Sequence, residues 1–329
     1  MMPYISVIVP AYNSASTIKE CLDAVRRSDF RDYELIVIDG ASQDSTVAVS
    51  KKYANLVIEL SANAGRSHAR RIGFESSKGR IIVNIDSDVL IKTDTLSKIA
   101  AYLSRHPEID AVTGLLSKEH PNPDFFSQYK NLYMHYIFKK LPERANFLYG
   151  SIYALKREAL ETHDADIEIA DDTALGQRLI SYGKQIAFLN DLEVVHLKKY
   201  TFITFIRNDF RIPFDWAKIF LKYKGWKQLG RDKTGYAHSP KRQLLSVITA
   251  PIILILALGL LFGHAHLQVI LLLFLCWLLL NYGFFIFLMR EKGLFYSLFA
   301  LPVTFLDNLI MAAGILCGAL SMNIKEGRL

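Results

Sequence analysis

Three long apolar runs in the last third of this 329-residue chain constrain its fold more than any other feature; they cover residues 244–262, 267–289 and 294–320. A helix needs about 20 mainly apolar residues to cross the hydrocarbon core of a bilayer, and each run has about that length. The third run is interrupted by Pro302, Asp307 and Asn308, so it either crosses the bilayer or enters and returns. The sequence therefore predicts a membrane domain at residues 243–321 and a short tail at residues 322–329.

The basic residues around these runs predict the orientation of the membrane domain. The loop at residues 263–266 contains no Lys or Arg, whereas Arg290 and Lys292 follow the second run. Short cytoplasmic loops are enriched in Lys and Arg, so the Arg290 loop and the N-terminal part of the chain are expected in the cytoplasm. The apolar run at residues 5–9 is too short for a signal peptide. We therefore expect an integral protein of the cell membrane with a cytoplasmic N-terminal domain.

Residues 200–242 form a basic and aromatic segment just before the first apolar run. The chain has a net charge of +7, and much of the excess lies at residues 218–242. Basic charge beside an apolar span favours anionic lipid headgroups as partner rather than nucleic acid. The interleaved aromatic residues predict an amphipathic segment in the membrane interface. The alternative is an ordinary amphipathic helix packed on the core of its own domain.

The first 199 residues have the pattern of an α/β domain. Short apolar runs alternate with helical patterns, which predicts a mainly parallel sheet covered by helices on both faces. Residues 111–160 look irregular, and the three cysteines have no pairing pattern, as expected for free thiols. The predicted strands are residues 5–9, 34–38, 56–60, 80–85, 185–189 and 193–195, and the predicted helices are residues 16–27, 45–53 and 67–76, with a further helix from about residue 172.

Polar clusters follow the first four predicted strands, ending with Asp86-Ser87-Asp88. Parallel sheets bind ligands at the carboxyl ends of their strands, so these clusters are expected to meet at one edge. Asp86 and Asp88 are one residue apart at the end of an apolar strand, and we expect them to point the same way and to share one cation. Oxygen ligands of this kind suit Mg²⁺ or Mn²⁺. Capping of the following helix is the alternative role for such aspartates.

Four ordered segments carry a resemblance to a known family: Val-Ile-Val-Pro-Ala-Tyr-Asn at residues 7–13, Leu-Ile-Val-Ile-Asp-Gly-Ala-Ser-Gln-Asp-Ser-Thr at 35–46, Asn-Ala-Gly-Arg-Ser-His-Ala-Arg at 63–70, and Asp-Ser-Asp at 86–88. Together they resemble the family 2 glycosyltransferases, which have a GT-A fold, and the resemblance covers about residues 4 to 200. It implies a nucleotide-diphosphate-sugar donor, a divalent metal, Mg²⁺ or Mn²⁺, and transfer of a hexosyl or N-acetylhexosaminyl group with inversion.

The resemblance also implies residue roles around the donor. Its base and ribose would lie against Pro10, Ala11 and Tyr12, and Asp39 would hydrogen-bond the base. Asn63, Arg66, Arg70 and Asp86 would contact the rest of the donor, and Asp86, Asp88 and His196 would hold the metal. Turn formation and helix capping are the alternatives for Asp39 and Asp44, and a solvated helix face is the alternative for Arg70.

A second acidic pair, Asp171-Asp172, opens a predicted helix. In the family the second acid of such a pair acts as catalytic base, which assigns a catalytic role to Asp171 and Asp172 and the base itself to Asp172. An inverting transfer needs a carboxylate that takes the proton of the acceptor. Helix capping is the alternative role, and an acceptor phosphate, already ionised, needs the base less.

The family's processive synthases carry Gln-x-x-Arg-Trp on an interface helix, and residues 207–212 lack its Gln and Trp. We therefore expect transfer of a sugar to a membrane-associated acceptor, such as a polyprenyl phosphate, a lipid-linked saccharide or a glycolipid, in the synthesis of cell-envelope glycans. The alternatives are a subunit of a polysaccharide synthase and a non-catalytic membrane scaffold. The expected partners are the donor, the acceptor and membrane lipids, without nucleic acid, and homo-oligomerisation stays open.

Overall fold

The computed structural model describes residues 2–161, 172–222, 225, 235–236 and 239–326. The chain divides into two compact units. The first unit contains residues Met1–Pro123 and Phe138–Lys198, and the second contains Asp124–Ile137 and Lys199–Leu329.

The first unit is built on a mixed sheet. Its strands are β1 (Ile5–Ala11), β2 (Tyr33–Asp39), β3 (Leu56–Glu59), β4 (Ile81–Ile85), β5 (Val89–Leu90), β6 (Ala111–Leu116), β7 (Arg144–Ala145), β8 (Ile152–Lys156) and β9 (Ile186–His196). The strand order is β3-β2-β1-β4-β8-β6-β9-β5, with β7 also paired to β9. The first four strands in this order are parallel, whereas β8 is antiparallel to both β4 and β6. Every residue of β1 is buried, which explains why this strand is apolar without interruption.

Some helices connect the strands of the first unit, and other helices make up most of the second unit. They are α1 (Ile18–Arg26), α2 (Thr46–Tyr53), α3 (Arg66–Ser76), α4 (Thr95–Arg105), α5 (Phe125–Phe138), α6 (Glu158–Glu161), α7 (Asp172–Ser181), α8 (Phe202–Lys222), α9 (Lys241–Leu261), α10 (Leu267–Lys292) and α11 (Leu294–Glu326). The second unit also has a short hairpin of β10 (Gly235–Tyr236) and β11 (Ser239–Pro240).

The predicted α/β class is confirmed, and the first four predicted strands and first three predicted helices are all present. Three details were wrong. The stretch at residues 111–160, predicted to be irregular, contains β6, α5 and β8, and the antiparallel β8 makes the sheet mixed rather than mainly parallel. The runs at 185–189 and 193–195 form one strand, β9, because pairing with β6 continues across the exposed Asn190 and Asp191 with a shift of register.

In the second unit, α9, α10 and most of α11 are long and apolar enough to cross a membrane. This agrees with the three apolar runs in the sequence. Although Pro302, Asp307 and Asn308 interrupt the apolar pattern of α11, the helix continues through all three residues. A re-entrant segment needs a reversal of the chain, so the continuous helix favours crossing.

Helix α8, from the segment predicted to lie in the membrane interface, packs closely along α11. A Cβ atom on Gly314 would stand 2.4 Å from the carbonyl oxygen of Phe210, and one on Gly318 would stand 2.3 Å from that of Phe214. Glycines at this spacing let two helix backbones touch. Therefore one face of α8 is used for packing within the second unit. Residues 223–224, 226–234 and 237–238 of the predicted interface segment lie outside the described residues.

A buried polar cluster joins three helices of the second unit. Lys130 of α5 forms an ion pair with Asp209 of α8, and the charge of Asp307 on α11 acts on the same ammonium group. All three side chains are buried or nearly so. Burial lowers the pKa of Lys130, but the charges of Asp209 and Asp307 outweigh it, and the pKa lies above its ordinary value. The lysine therefore stays charged and compensates the buried Asp209 carboxylate.

We expect Lys130→Met to destabilise the second unit by about 3–5 kcal/mol, because a buried carboxylate loses its counter-ion. The measurement is unfolding of the purified protein in detergent micelles. Asp215→Asn is the control. Asp215 lies on α8, as Asp209 does, but its ion pair with Arg211 is exposed. Equal stability of the two variants would contradict the role given to the cluster.

Candidate active site

The polar clusters after the strands meet at one edge of the sheet, as predicted. Ala11, the last residue of β1, pairs in register with Asp39, the last residue of β2. The hydroxyl groups of Ser14, after β1, and Ser87, after β4, are 2.8 Å apart. This edge therefore brings together residues far apart in the sequence.

Of the residues predicted at the donor base, Pro10 and Ala11 are buried at the end of β1, whereas Tyr12 is 48% exposed. A half-exposed aromatic ring at the edge of the sheet is suited to stacking on a flat ring. Asp39 is buried, and both of its carboxylate oxygens accept hydrogen bonds from Ser42: Oδ2 from the backbone N–H at 2.8 Å and Oδ1 from the hydroxyl at 2.5 Å. Asp39 thus forms the turn that was its alternative role, and contact with a base stays a prediction.

Asp44 fastens the start of α2 to the loop after β1. Its carboxylate accepts hydrogen bonds from the backbone N–H groups of Ala15 and Thr46, both at 3.0 Å. Desolvation raises the pKa of Asp44. These two hydrogen bonds, together with the one from the Thr46 hydroxyl, lower it by more, so the pKa of Asp44 is below its ordinary value. Asp44 therefore stabilises the turn just before α2, which is one of the two structural roles that the sequence suggested for it.

Asp86 is held by two arginines of α3. Arg70 Nη2 donates to Asp86 Oδ1 at 2.9 Å, and Arg66 Nη1 lies 3.5 Å from Oδ2. The two arginines differ in their surroundings, because the Arg70 side chain is 3% exposed and that of Arg66 is 72% exposed. Because Arg70 is buried, it does not lie on a solvated face of α3, which was its alternative role. Asn63 accepts a hydrogen bond from Gly65 N–H at 2.9 Å and shapes the loop that leads into α3.

Asp88 has a different partner from Asp86. Its Oδ2 lies 3.4 Å from His196 Nε2, because β5 pairs antiparallel with β9 and brings Val89 opposite His196. Burial raises the pKa of the Asp88 carboxyl. The charges of His196 and Lys198 and the hydrogen bond from His196 lower it by more, so the pKa of Asp88 is below its ordinary value. Asp88 therefore stays ionised and faces His196.

The donor atoms of Asp88 and His196 fit a divalent ion that has few protein ligands. Mg²⁺ and Mn²⁺ accept carboxylate oxygen, Mn²⁺ accepts imidazole nitrogen as well, and such ions take their other ligands from substrate phosphates and water. Within residues 2–161, 172–222 and 239–326, no group of three His, Cys, Asp or Glu side chains is placed to hold a metal ion. Asp86 faces the two arginines, whereas Asp88 faces His196.

Asp172 lies at the start of α7 and beside a glycine of the loop before β8. Its Oδ1 accepts a hydrogen bond from Thr173 N–H at 3.0 Å. A Cβ atom on Gly150 would stand 2.3 Å from Asp172 Oδ2 and 3.1 Å from Arg70 Nη2. The carboxylate predicted as base and the arginine that holds Asp86 therefore meet at one glycine. Asp171 lies outside the described residues.

Sequence reasoning missed Tyr149 and Gly150. Burial raises the pKa of the Tyr149 hydroxyl, and the charges of Asp86, Asp172 and Asp88 raise it as well. The Tyr149 hydroxyl is thus close enough to all three carboxylates for their charges to raise its pKa. The signal in the sequence was a glycine two residues before the apolar run of β8, within a stretch that looked irregular.

Comparison with known proteins finds relatives of the N-terminal part of the chain. Residues 6–164 match Glycosyl transferase family 2. A PGL/p-HBAD biosynthesis glycosyltransferase of Mycobacterium tuberculosis is 30% identical over 118 residues, which are 34% of this chain and 46% of that protein. An N-acetylglucosaminyltransferase of Azorhizobium caulinodans is 33% identical over 124 residues, which are 35% of this chain and 31% of that protein. The matched region thus spans less than half the length of these curated relatives.

Among solved structures, the mannosyltransferase PcManGT from Pyrobaculum calidifontis, in complex with GDP-Man and Mn²⁺, has a similar fold. The TM-score is 0.60 at 20% sequence identity, and the match covers 99% of this chain and 88% of that one. The predicted fold is confirmed: a GT-A domain, predicted from the four ordered segments, is followed by apolar helices, predicted from the three long apolar runs.

We expect Asp88→Asn to weaken Mn²⁺-dependent binding of UDP or GDP by about tenfold or more, because the variant loses a charged metal ligand. The measurement is nucleotide affinity with and without Mn²⁺ by calorimetry. Asp94→Asn, which removes an exposed acid after β5, is the control. Unchanged affinity in Asp88→Asn would exclude Asp88 as a metal ligand.

Proposed function

We propose that this chain, whose residues 6–164 form a family 2 glycosyltransferase domain, transfers a sugar from a nucleotide-diphosphate sugar to an acceptor held at a membrane. The observation that carries the proposal is the meeting of Asp86, Asp88 and Asp172 around Arg70, His196 and Gly150 at one edge of the sheet. An inverting transfer requires these elements: donor contacts, charge compensation for the leaving group, and a base.

The donor lies along the edge in this proposal. Tyr12 stacks on the base, Pro10 and Ala11 form the floor beneath it, and Asp39 contacts its polar edge. Asn63, Arg66 and Asp86 meet the ribose and diphosphate. The sugar is a hexose or an N-acetylhexosamine. Support comes from the relative named as an N-acetylglucosaminyltransferase and from the structural neighbour in complex with GDP-Man.

Asp88, His196 and Asp86 would hold Mg²⁺ or Mn²⁺ together with the donor phosphates. The ion would supply positive charge for the departing diphosphate. Lys198 lies close enough to Asp88 to lower its pKa, so its ammonium group adds a second positive charge beside the diphosphate. The neighbour solved with Mn²⁺ supports the choice of metal.

Asp172 is the base in this proposal. Its position at the start of α7 favours the ionised form, because a helix N-terminus carries partial positive charge. It takes the proton of an acceptor hydroxyl as the oxygen attacks the anomeric carbon, and the nucleoside diphosphate leaves from the opposite face. Asp171 is its neighbour in the acidic pair. An acceptor that presents an ionised phosphate does not need this proton transfer.

The acceptor is lipid-linked and the site is cytoplasmic in this proposal. Three helices long and apolar enough to cross a membrane follow the domain. The exposed side of α8 combines apolar Phe202, Ile203 and Ile212 with Arg207 and Arg211, as expected of a surface against anionic lipid. An acceptor lodged in the same bilayer is concentrated near the enzyme.

The deciding experiment offers purified protein in lipid nanodiscs a panel of nucleotide-diphosphate sugars together with a membrane lipid extract. We expect one donor to give a product heavier by one glycosyl unit by mass spectrometry. Asp172→Asn should lower turnover by about 10²–10⁴-fold with donor affinity unchanged, because only proton transfer is lost. Absence of product with every donor would refute the proposed transferase activity. Full turnover by Asp172→Asn would refute the role of Asp172 as base.

The orientation has its own test in intact cells. In a variant without Cys21, Cys276 and Cys317, we expect His264→Cys to react with an impermeant maleimide added outside, because the loop at 263–266 lacks basic residues. Lys292→Cys should react only after the cells are permeabilised. The reverse pattern would place the domain on the other side of the membrane.

A further inference from the structure

Arg70 is a buried cation at the meeting point of the acidic groups of the site. Its Nη2 lies 2.9 Å from Asp86 Oδ1 and donates to the carbonyl oxygen of Gly150 at 3.2 Å. The guanidinium group also stands over the ring of Tyr153, 5.5 Å from its centroid. The orientation of Arg70 is therefore fixed from three sides.

Gly150 lets this arginine approach the carboxylate of Asp172. The Cβ position of residue 150 is 3.1 Å from Arg70 Nη2 and 2.3 Å from Asp172 Oδ2, so these atoms flank the same point. Real Cβ atoms are essentially never found at 2.3 Å from another heavy atom, so any other residue here would force the carboxylate or the loop to move. The glycine thus preserves the proximity of arginine and base.

We propose that Arg70 is a positioning residue, which fixes the base Asp172 relative to the donor-side carboxylate Asp86 through one guanidinium group and the loop at Gly150. The inference rests on the proposed transferase function. Asp86 belongs to the end of β4 and Asp172 to the start of α7. Without a rigid connection, the distance between donor and base would depend on two separate segments of the chain.

The chemistry of the side chain explains why arginine stands here. A guanidinium group has five N–H donors in a rigid plane and can serve Asp86 and the Gly150 carbonyl together, whereas a lysine ammonium is a point charge on a flexible stem. The neighbouring Arg66 is largely exposed, and its Nη1 lies 3.5 Å from the other oxygen of Asp86. It is therefore a poor substitute for Arg70.

Arg70→Lys tests this role, because it keeps the charge and removes the planar fork. We expect kcat to fall by about a hundredfold, the effect of a small misplacement of a reacting group. The donor KM should stay within about threefold, since an ammonium group still faces Asp86. Arg71→Lys is the matched control, because Arg71 is the next residue of α3 and pairs with Glu75 at the surface.

Gly150→Ala tests the same connection from the loop. We expect the same split, with kcat lowered and donor KM retained, because the new methyl group displaces the Asp172 carboxylate. Gly259→Ala is its control, since a Cβ atom there has its nearest neighbour at an ordinary 3.7 Å. A kcat of Arg70→Lys near that of wild type, or a rise in donor KM alone, would overturn the positioning role.

Hydrogen exchange gives a readout that does not need activity. In Arg70→Lys, peptides that cover residues 149–152 and 172–176 should exchange faster than in wild type, and those that cover residues 39–46 should not. Unchanged exchange in the first two segments would refute the connection even if the enzyme transfers sugar. Absence of transfer by the wild-type protein would instead refute the proposed function, and exchange would still decide the role of Arg70.

Discussion

The buried ion pair between Asp86 and Arg70 is the interaction on which the arrangement of the site depends. A buried charge is tolerated only when it is paired and hydrogen-bonded, and here one guanidinium group meets the Asp86 carboxylate and the Gly150 carbonyl. These contacts join the end of β4, the first turns of α3 and the loop before β8. The edge of the sheet thereby becomes one connected polar surface.

This ion pair also separates the tasks of two aspartates that look equivalent in the sequence. Asp86 faces Arg66 and Arg70, whereas Asp88 faces His196 across the pairing of β5 with β9. A carboxylate that is neutralised by two arginines has less charge left for a metal ion than one beside an imidazole. Asp88 is therefore the stronger candidate for metal binding, and Asp86 for contact with the donor.

In the second unit, polar groups are buried among apolar helices. Gly314 and Gly318 let α8 touch the backbone of α11, and the cluster of Lys130, Asp209 and Asp307 joins α5, α8 and α11. Removing one partner of such a cluster leaves an uncompensated charge, so its members depend on one another. The result is a close connection between the amphipathic helix α8 and the third apolar helix.

The sequence by itself determined the alternation of β1 to β4 with their helices, the three apolar helices, and the order of the polar clusters, because local hydrophobic patterns encode these features. It also singled out Asp86, Asp88, Asp172 and His196 as candidate site residues. Only the tertiary structure decided that β8 runs antiparallel within the sheet, that α5 and α8 share a unit with the apolar helices, and that Gly150 adjoins Arg70 and Asp172. These contacts join residues distant in the chain, and their geometry depends on packing that no local pattern records.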